Sequence, residues 1–364
     1  MKAEWLMQPL QALDPRRFQS PEILNRLNVA TRQLAELKGV GSSIPNTAIL
    51  INTLSLQEAK DSSAIENIVT THDELFRNAV FPQAAASAAS KEVARYSQAL
   101  RRGWETVVEH RLLTNSTILR VQAELEQTNA GFRKLPGTSL KTDAGTVVYT
   151  PPQEHDEIVA LMSDLEKFIN DDGAFAADPL VKMALMHHQF ESIHPFYDAN
   201  GRTGRIVCVL YLVKQGLLDI PILYLSRHIV RTKPDYYRLL QDVRDQDSWE
   251  QWVLYMLTAV ESTARQGITT VETMKDLLLS VKHRVRKDFP KFYSQDLINN
   301  LFKHPYTKIE FLQQDLAITR LTAAKYLDAL VAGGVLRKQK VGRSNYYINE
   351  PLCAILIGDP LTRP

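Results

Sequence analysis

From residue 194 to residue 205 the chain reads His-Pro-Phe-Tyr-Asp-Ala-Asn-Gly-Arg-Thr-Gly-Arg. A histidine, a carboxylate, an amide, two glycines and two arginines stand in twelve positions, with apolar runs on either side. These residue types at this spacing suit phosphate chemistry. A helix expected to begin near residues 200–201 would expose unpaired N–H groups and about half a unit of positive charge. Ala199, Gly201 and Gly204 are small, so a ligand could approach that backbone closely. Arg202 and Arg205 stand three residues apart, on neighbouring faces of the first turn, and guanidinium forks match phosphate oxygens. Together these features form a polyphosphate cradle. Asp198 offers a hard oxygen ligand for a Mg2+ that bridges the phosphates. His194 opens the loop, where an imidazole can take a proton from a substrate hydroxyl. Each residue alone has a plainer role as a cap, a satisfied core group or a surface charge. Their convergence in one short loop is what points to phosphate chemistry.

The flanking elements must hold that loop in place. Residues 179–193 are apolar nearly all round their first turns, the pattern of a central buried helix, and a second apolar helix is expected over 203–215. Further helices are expected over 21–37, 91–108, 117–127, 157–170, 235–246, 249–265 and 270–287, with two more within 46–69, the second spanning 56–69. The Ala/Ser-rich residues 82–90 read as a loop. Residues 137–152 break the helical pattern. A turn signal, Asp143-Ala144-Gly145, precedes the β-branched run Thr146-Val147-Val148-Tyr149-Thr150, and Pro151-Pro152 stops further pairing, so a hairpin is expected over 138–150. Towards the C-terminus, helices over 309–316 and 321–332 are joined by a turn, and Gly333-Gly334 caps the second. A hairpin turning at Gly342 follows, which completes a winged helix-turn-helix pattern. Residues 291–364 hold ten Lys and Arg against six Asp and Glu.

The chain has 364 residues, 45% of them hydrophobic and 23% charged, enough for two or three domains. A net charge of +2 gives no global attraction to nucleic acid. Two cysteines, Cys208 and Cys353, allow no disulfide scaffold and no CxxC zinc pair. The first 18 residues lack an apolar core of signal-peptide length, and no stretch approaches the roughly 20 apolar residues that span a bilayer. The expectation is a cytoplasmic protein with no membrane association. His187-His188 and Glu191-x-x-His194 suggest metal ligands, but a helical di-iron site needs a second Glu-x-x-His, which the sequence lacks. HExxH and the P-loop pattern are also absent, and Gly39-Val40-Gly41 lacks the third glycine of a dinucleotide fingerprint.

The stretch His194-Pro-Phe-x-Asp198-Ala-Asn200-Gly201-Arg202-x-Gly-Arg205 resembles the Fic family signature HxFx(D/E)GNGRxxR. The resemblance extends over roughly residues 45–265 and implies transfer of AMP from ATP to a hydroxyl side chain of a target protein, with release of pyrophosphate. It implies His194 as the base that deprotonates the target Ser, Thr or Tyr and Asp198 as the Mg2+ ligand. Asn200, Gly201, Arg202 and Arg205, with Thr203 and Gly204 of the same turn, would surround the phosphates of the ATP co-substrate. Ala199 departs from the pattern, where Gly is usual. If that position needs a positive φ, alanine costs about 1 kcal/mol or more. The phosphate-donating toxin branch of the family also carries Ala there, but has Lys where this chain has Gly201, so Gly201 favours AMP transfer. By the same resemblance the hairpin, with Val147, Val148, Tyr149 and Thr150, is a flap that takes an extended target segment by strand addition. Tyr236 and Tyr237 are similar to an aromatic pair lining the adenosine pocket, although on a helix such a pair is more often core. Ser62-x-x-x-Glu66-Asn67 looks like the inhibitory (S/T)xxxE(G/N) motif, whose glutamate would pair with Arg205.

The expected fold is mainly α: a Fic-type helical bundle with a β-hairpin flap, plus a C-terminal winged helix-turn-helix domain. The expected division is an N-terminal helical region with the inhibitory helix (1–105), a catalytic core (106–268), a linker helix (269–290) and the winged helix (291–364). The expected activity is protein adenylylation restrained by Glu66, with ATP, Mg2+ and a hydroxyl-bearing target, which self-modification or a homodimer could supply. The competing reading is a DNA-binding regulator whose core senses nucleotide or removes AMP. Arg320, Lys325 and Asp328 on its recognition helix and Arg337, Lys338, Lys340 and Arg343 on its wing would meet the duplex. That helix is short of base-reading residues.

Overall fold

Two helices that are apolar on every side can only be buried, and they form the centre of the fold. In the computed structural model, which describes residues 7–80, 87–142, 144–173, 175–341 and 344–358, helix 179–193 has every residue from 180 onward buried. It is preceded by α1 (Pro21–Ser42), α2 (Thr47–Ile65), α3 (His72–Val80), α4 (Ala88–His110), α5 (Asn115–Glu126), a hairpin of β1 (Leu140–Lys141) and β2 (Val147–Tyr149), and α6 (His155–Asn170). The central pair is α7 (Pro179–Ile193) and α8 (Asn200–Lys214). After them come α9 (Leu225–Arg231), α10 (Lys233–Gln246) and α11 (Trp249–Asp288). Gly103 lets α4 lie close on α8, since a β-carbon there would come within 2.6 Å of a Leu210 methyl. The expected turn residue Asp143, the wing tip Gly342 with Arg343, and residues 82–86 of the expected loop lie outside the described residues.

Three helical expectations change. Residues 46–69 form one helix, not two: Asn46 caps α2 through the Ala48 N–H (3.0 Å), and the helix stops at Ile65 because Asn67 turns left-handed at φ 63°. Ser62 therefore lies in the last turn, and Glu66 is the residue on which the helix ends. Residues 249–265 and 270–287 are one continuous 40-residue helix. Gly267 costs about 1 kcal/mol of helix propensity, but it admits Leu37 of α1 where a β-carbon would come within 2.9 Å. The buried stripe from Trp252 through Met256, Val260, Ala264, Val271, Met274 and Leu278 keeps its spacing across the glycine. The third change is that α3, α9 and the C-terminal helices Gln295–Lys303 and Glu350–Ile357 were not anticipated, being too short for periodicity to show.

The C-terminal part comprises α12 (Gln295–Lys303), β3 (Tyr306–Thr307), α13 (Ile309–Leu316), α14 (Arg320–Ala332), β4 (Arg337–Val341), β5 (Ser344–Ile348) and α15 (Glu350–Ile357). The expected helix pair and hairpin are present, with β5 antiparallel between β3 and β4. This part is seated on the N-terminal helices: the Tyr306 hydroxyl donates to Asp73 (2.6 Å), and the Gln57 amide donates to the Leu356 carbonyl. The described residues contain no helix long and apolar enough to cross a membrane.

Candidate active site at the start of helix α8

The loop between α7 and α8 is fixed from within and from outside. Asp178 caps α7 through the Leu180 N–H (2.8 Å), and the helix ends where His194 turns left-handed at φ 49°. Asn200 closes the loop: its side-chain oxygen accepts the Phe196 N–H (2.8 Å) and its amide donates to the Phe196 carbonyl (2.9 Å). Its side chain is thus buried as a clamp and not offered to a ligand. From outside, the wholly buried Arg133 donates to the His194 carbonyl (2.9 Å) and to the Pro152 carbonyl, while its backbone N–H donates to Pro195 (2.8 Å). One side chain therefore ties the hairpin's proline exit to the loop. Ala199 sits at φ 61°, ψ 23°, the conformation in which its methyl carries a cost.

Burial pushes the His194 imidazole down to about 4, against the pull of the Glu191 carbonyl. The ring is therefore neutral at physiological pH, the state a base requires. Between about 4 and 6.5 the unfolded chain binds a proton that the folded chain refuses. His194 thus contributes stability fully above 6.5 and loses it as pH falls through 4. Histidine-selective NMR of the ligand-free protein is expected to show this ring still neutral at pH 5.5; an ordinary midpoint near 6.5 would contradict it.

The arginines are not surface residues. Arg202 and Arg205 are almost fully buried, at 1% and 2% exposure. Glu66 spans both, with Oε2 2.7 Å from Arg202 Nε and Oε1 2.8 Å from an Arg205 terminal nitrogen. Arg205 also donates to the Ser62 hydroxyl (2.8 Å) and carbonyl (3.0 Å). Arg202 has three further carboxylates: Glu92 of α4 pairs with it, Glu126 at the end of α5 lies at 3.0 Å, and Asp198 lies at 3.6 Å. Burial alone would lower both guanidinium pKa values. Glu66 is the largest opposing charge at each, and with Glu92, Glu126 and Asp198 at Arg202, and with Tyr236, Tyr96 and Glu191 at Arg205, it more than reverses this, so both are raised. Lys233 donates to the Asn67 side chain (3.0 Å), which fixes the turn after Glu66.

Gly201 is the residue that makes room for this pair: a β-carbon there would stand 2.7 Å from Glu66 Oε1 and 2.8 Å from an Arg205 nitrogen. Gly204 and Thr203 have a different role from the one expected. Thr203 is fully buried with its N–H spent on Ala199, and Gly204 faces α7, where a β-carbon would lie 2.7 Å from Glu191 Oε1 and 3.0 Å from Phe190. They pack the two central helices together and do not line the cradle. Gly204→Ala is therefore expected to cost about 1–3 kcal/mol through overpacking, seen as a lower Tm; an unchanged Tm would refute this packing role.

Asp198 is exposed, with one oxygen accepting the Ala199 N–H (2.6 Å). No group of three or more potential metal ligands exists among the described residues. Its outward carboxylate, with one oxygen 3.6 Å from Arg202, still fits Mg2+, which keeps most of its water and shares phosphate oxygens. The aromatic pair divides. Tyr236 is core, its hydroxyl hydrogen-bonded to His187 Nε2 (2.9 Å) and its ring packed on Trp252 and Tyr255, so it cannot line a pocket. Tyr237 is half exposed. In the hairpin, Leu140 pairs with Tyr149 and Lys141 with Val147. Val147, Val148 and Thr150 are exposed, whereas Tyr149 is anchored, its hydroxyl donating to Ser192 (3.0 Å) and its ring lying under Arg244 (4.0 Å). Arg133, Glu92, Glu126, Lys233 and Arg244 had no signal in the sequence, since each lies far along the chain from the loop it serves.

Residues 24–105 match the family described as Fic/DOC family N-terminal, residues 112–212 the Fic/DOC family, and residues 277–352 the C-terminal domain of SoFic-like protein adenylyltransferases. The chain is 26% identical over 155 residues to protein adenylyltransferase fic-1 of Caenorhabditis elegans, covering 41% of this chain and 29% of that one. It is 32% identical over 99 residues to protein adenylyltransferase Fic of Aedes aegypti, covering 27% and 18%. These matches span less than a third of either relative's length. The fold is similar to that of a Fic family protein from Desulfovibrio desulfuricans G20, with a TM-score of 0.56 and 20% identity over 94% of this chain and 98% of that one.

Proposed function

The chain belongs to the Fic family, and on that premise we propose that it transfers AMP from ATP to a hydroxyl side chain of a target protein, releasing pyrophosphate. The observation that carries the reading is the loop between α7 and α8, where a neutral His194 and two buried arginines flank one helix start. His194 accepts the proton of the incoming Ser, Thr or Tyr hydroxyl. That oxygen attacks the α-phosphorus, and the bond to the β-phosphate oxygen breaks. The free N–H groups at the start of α8, with Arg202 and Arg205, bind the phosphates. Asp198 would hold Mg2+, which supplies neutralisation of phosphate charge. The exposed edge at Val147 and Val148 takes the target backbone, and Tyr237 lies beside the adenosine.

Glu66 restrains this reaction. A guanidinium already gripped by a carboxylate cannot also take a γ-phosphate, and the carboxylate repels that phosphate. The DNA-binding reading has less support, because three of the six cations that would meet a duplex are engaged at home: Arg320 with Glu310 (2.8 Å), Lys338 with Asp328 (2.8 Å) and Arg337 with Glu350. Mass spectrometry after incubation with Mg2+ and ATP tests the proposal. AMP attached to the protein itself or to an added lysate protein is the expected result. Transfer of phosphate in place of AMP would overturn it.

A further inference from the structure

One turn before Ser62, α2 turns a different face to a cavity of about 180 Å3 bounded by α2, α3, α9 and α15. Its polar lining is Gln57, Lys60 and Asp61 of α2, His72 of α3, and Arg227 and Arg231 of α9. Three cations thus face one carboxylate. Arg227 and Arg231 stand one helical turn apart, where like charges repel. Neither guanidinium makes a hydrogen bond or close ion pair among the described residues, and Lys60 reaches Asp61 only at 3.8 Å. Arg227 is half-buried, and burial lowers its pKa, with Asp61 opposing and Arg231 adding to the fall. Burial, then the charges of Lys60 and Arg227, push His72 down to about 4. Burial raises the Asp61 carboxyl pKa, against the pull of Lys60, Arg227 and Arg231. Lys60, the half-buried Arg227 and the exposed Arg231 thus share a single carboxylate, Asp61, and a partly desolvated cation is costly unless fully paired, so a second anion would complete the cluster.

We propose that this cavity binds a small phosphate-bearing anion through Lys60, Arg227 and Arg231. Guanidinium forks on one helix and an ammonium on the next can contact separate oxygens of one tetrahedral anion. The volume is below the roughly 300–1,000 Å3 of sites for larger organic ligands, so the ligand is phosphate or pyrophosphate and not a whole nucleotide. Asp61 directly precedes Ser62, whose hydroxyl and carbonyl hold Arg205. An anion here therefore sits against the helical turn that carries the restraint. The site itself does not depend on the AMP-transfer reading.

The test is a titration of the full chain with inorganic phosphate and, separately, pyrophosphate, at ionic strength matched with sodium chloride. The readout is the His72 imidazole resonance, assigned with His72→Gln. A saturable shift of that resonance is expected, with its titration midpoint rising as the anion offsets the positive field. The His194 resonance reports separately on phosphate at the start of α8. In Arg227→Gln/Arg231→Gln the affinity is expected to fall about tenfold or more, about 1.4 kcal/mol, and Lys60→Gln provides a milder variant should the double one not fold. A His72 resonance that does not move, moves equally with chloride, or titrates unchanged in the variants would overturn the proposal.

Discussion

Exchange of His194 for alanine is expected to slow AMP transfer by about 10²–10⁴-fold, the usual loss on removing a general base, while ATP still binds. The two functions reside in different groups. The phosphates meet the start of α8 and its arginines, whereas His194 ends α7 on the other side of the loop. The loop should keep its shape, because Asn200 clamps Phe196 and Arg133 holds the His194 carbonyl, and neither bond uses the imidazole. Histidine already bears the β-carbon cost of the left-handed conformation at φ 49°, so alanine adds no new backbone strain. Transfer rates and calorimetric ATP binding, measured on one preparation, separate the effects. Adenylylation at the unaltered rate would remove His194 from the chemistry.

Exchange of Glu66 for glycine is expected to raise self-adenylylation at least about tenfold, which needs only ~1.4 kcal/mol of barrier. Among the described residues Glu66 is the one carboxylate at ion-pair distance from Arg205, so its removal leaves that guanidinium hydrogen-bonded to Ser62. Arg202 keeps Glu92 and Glu126 and stays partly engaged. The gain therefore comes mainly from Arg205. Breaking a buried pair typically costs about 3–5 kcal/mol. Glu66 retains 24% side-chain exposure, so the loss should lie towards the lower end of that range and appear as a lower Tm. The double variant with His194→Ala should be inactive, which would show that the gain passes through the same base. If Glu66→Gly binds ATP normally yet labels no faster, the restraint is refuted. A slower variant would place Glu66 in the chemistry instead, for instance in activating water to remove AMP.

Much of this site could be read from local sequence, because the forces that set it act over a few residues. The loop ends, the buried pair α7 and α8, the hairpin stopped by Pro151-Pro152 and the helix-turn-helix all follow from caps, turn residues and apolar spacing within one segment. The cost at Ala199, left-handed at φ 61°, is legible only through the family signature, which has Gly at that position. Tertiary structure alone decided what each face meets. Periodicity marks Arg202 as a polar position on an apolar helix, but not that Glu92 and Glu126 come from two other helices to bury it. An aromatic pair on α10 reads alike whether it lines a pocket or packs on Trp252, and only packing sent Tyr236 inward. Gly267 should have broken α11, and Leu37, some 230 residues earlier, let it continue. Glycine clearances, charge pairing and burial are properties of two surfaces in contact, and a sequence gives each surface without naming its partner.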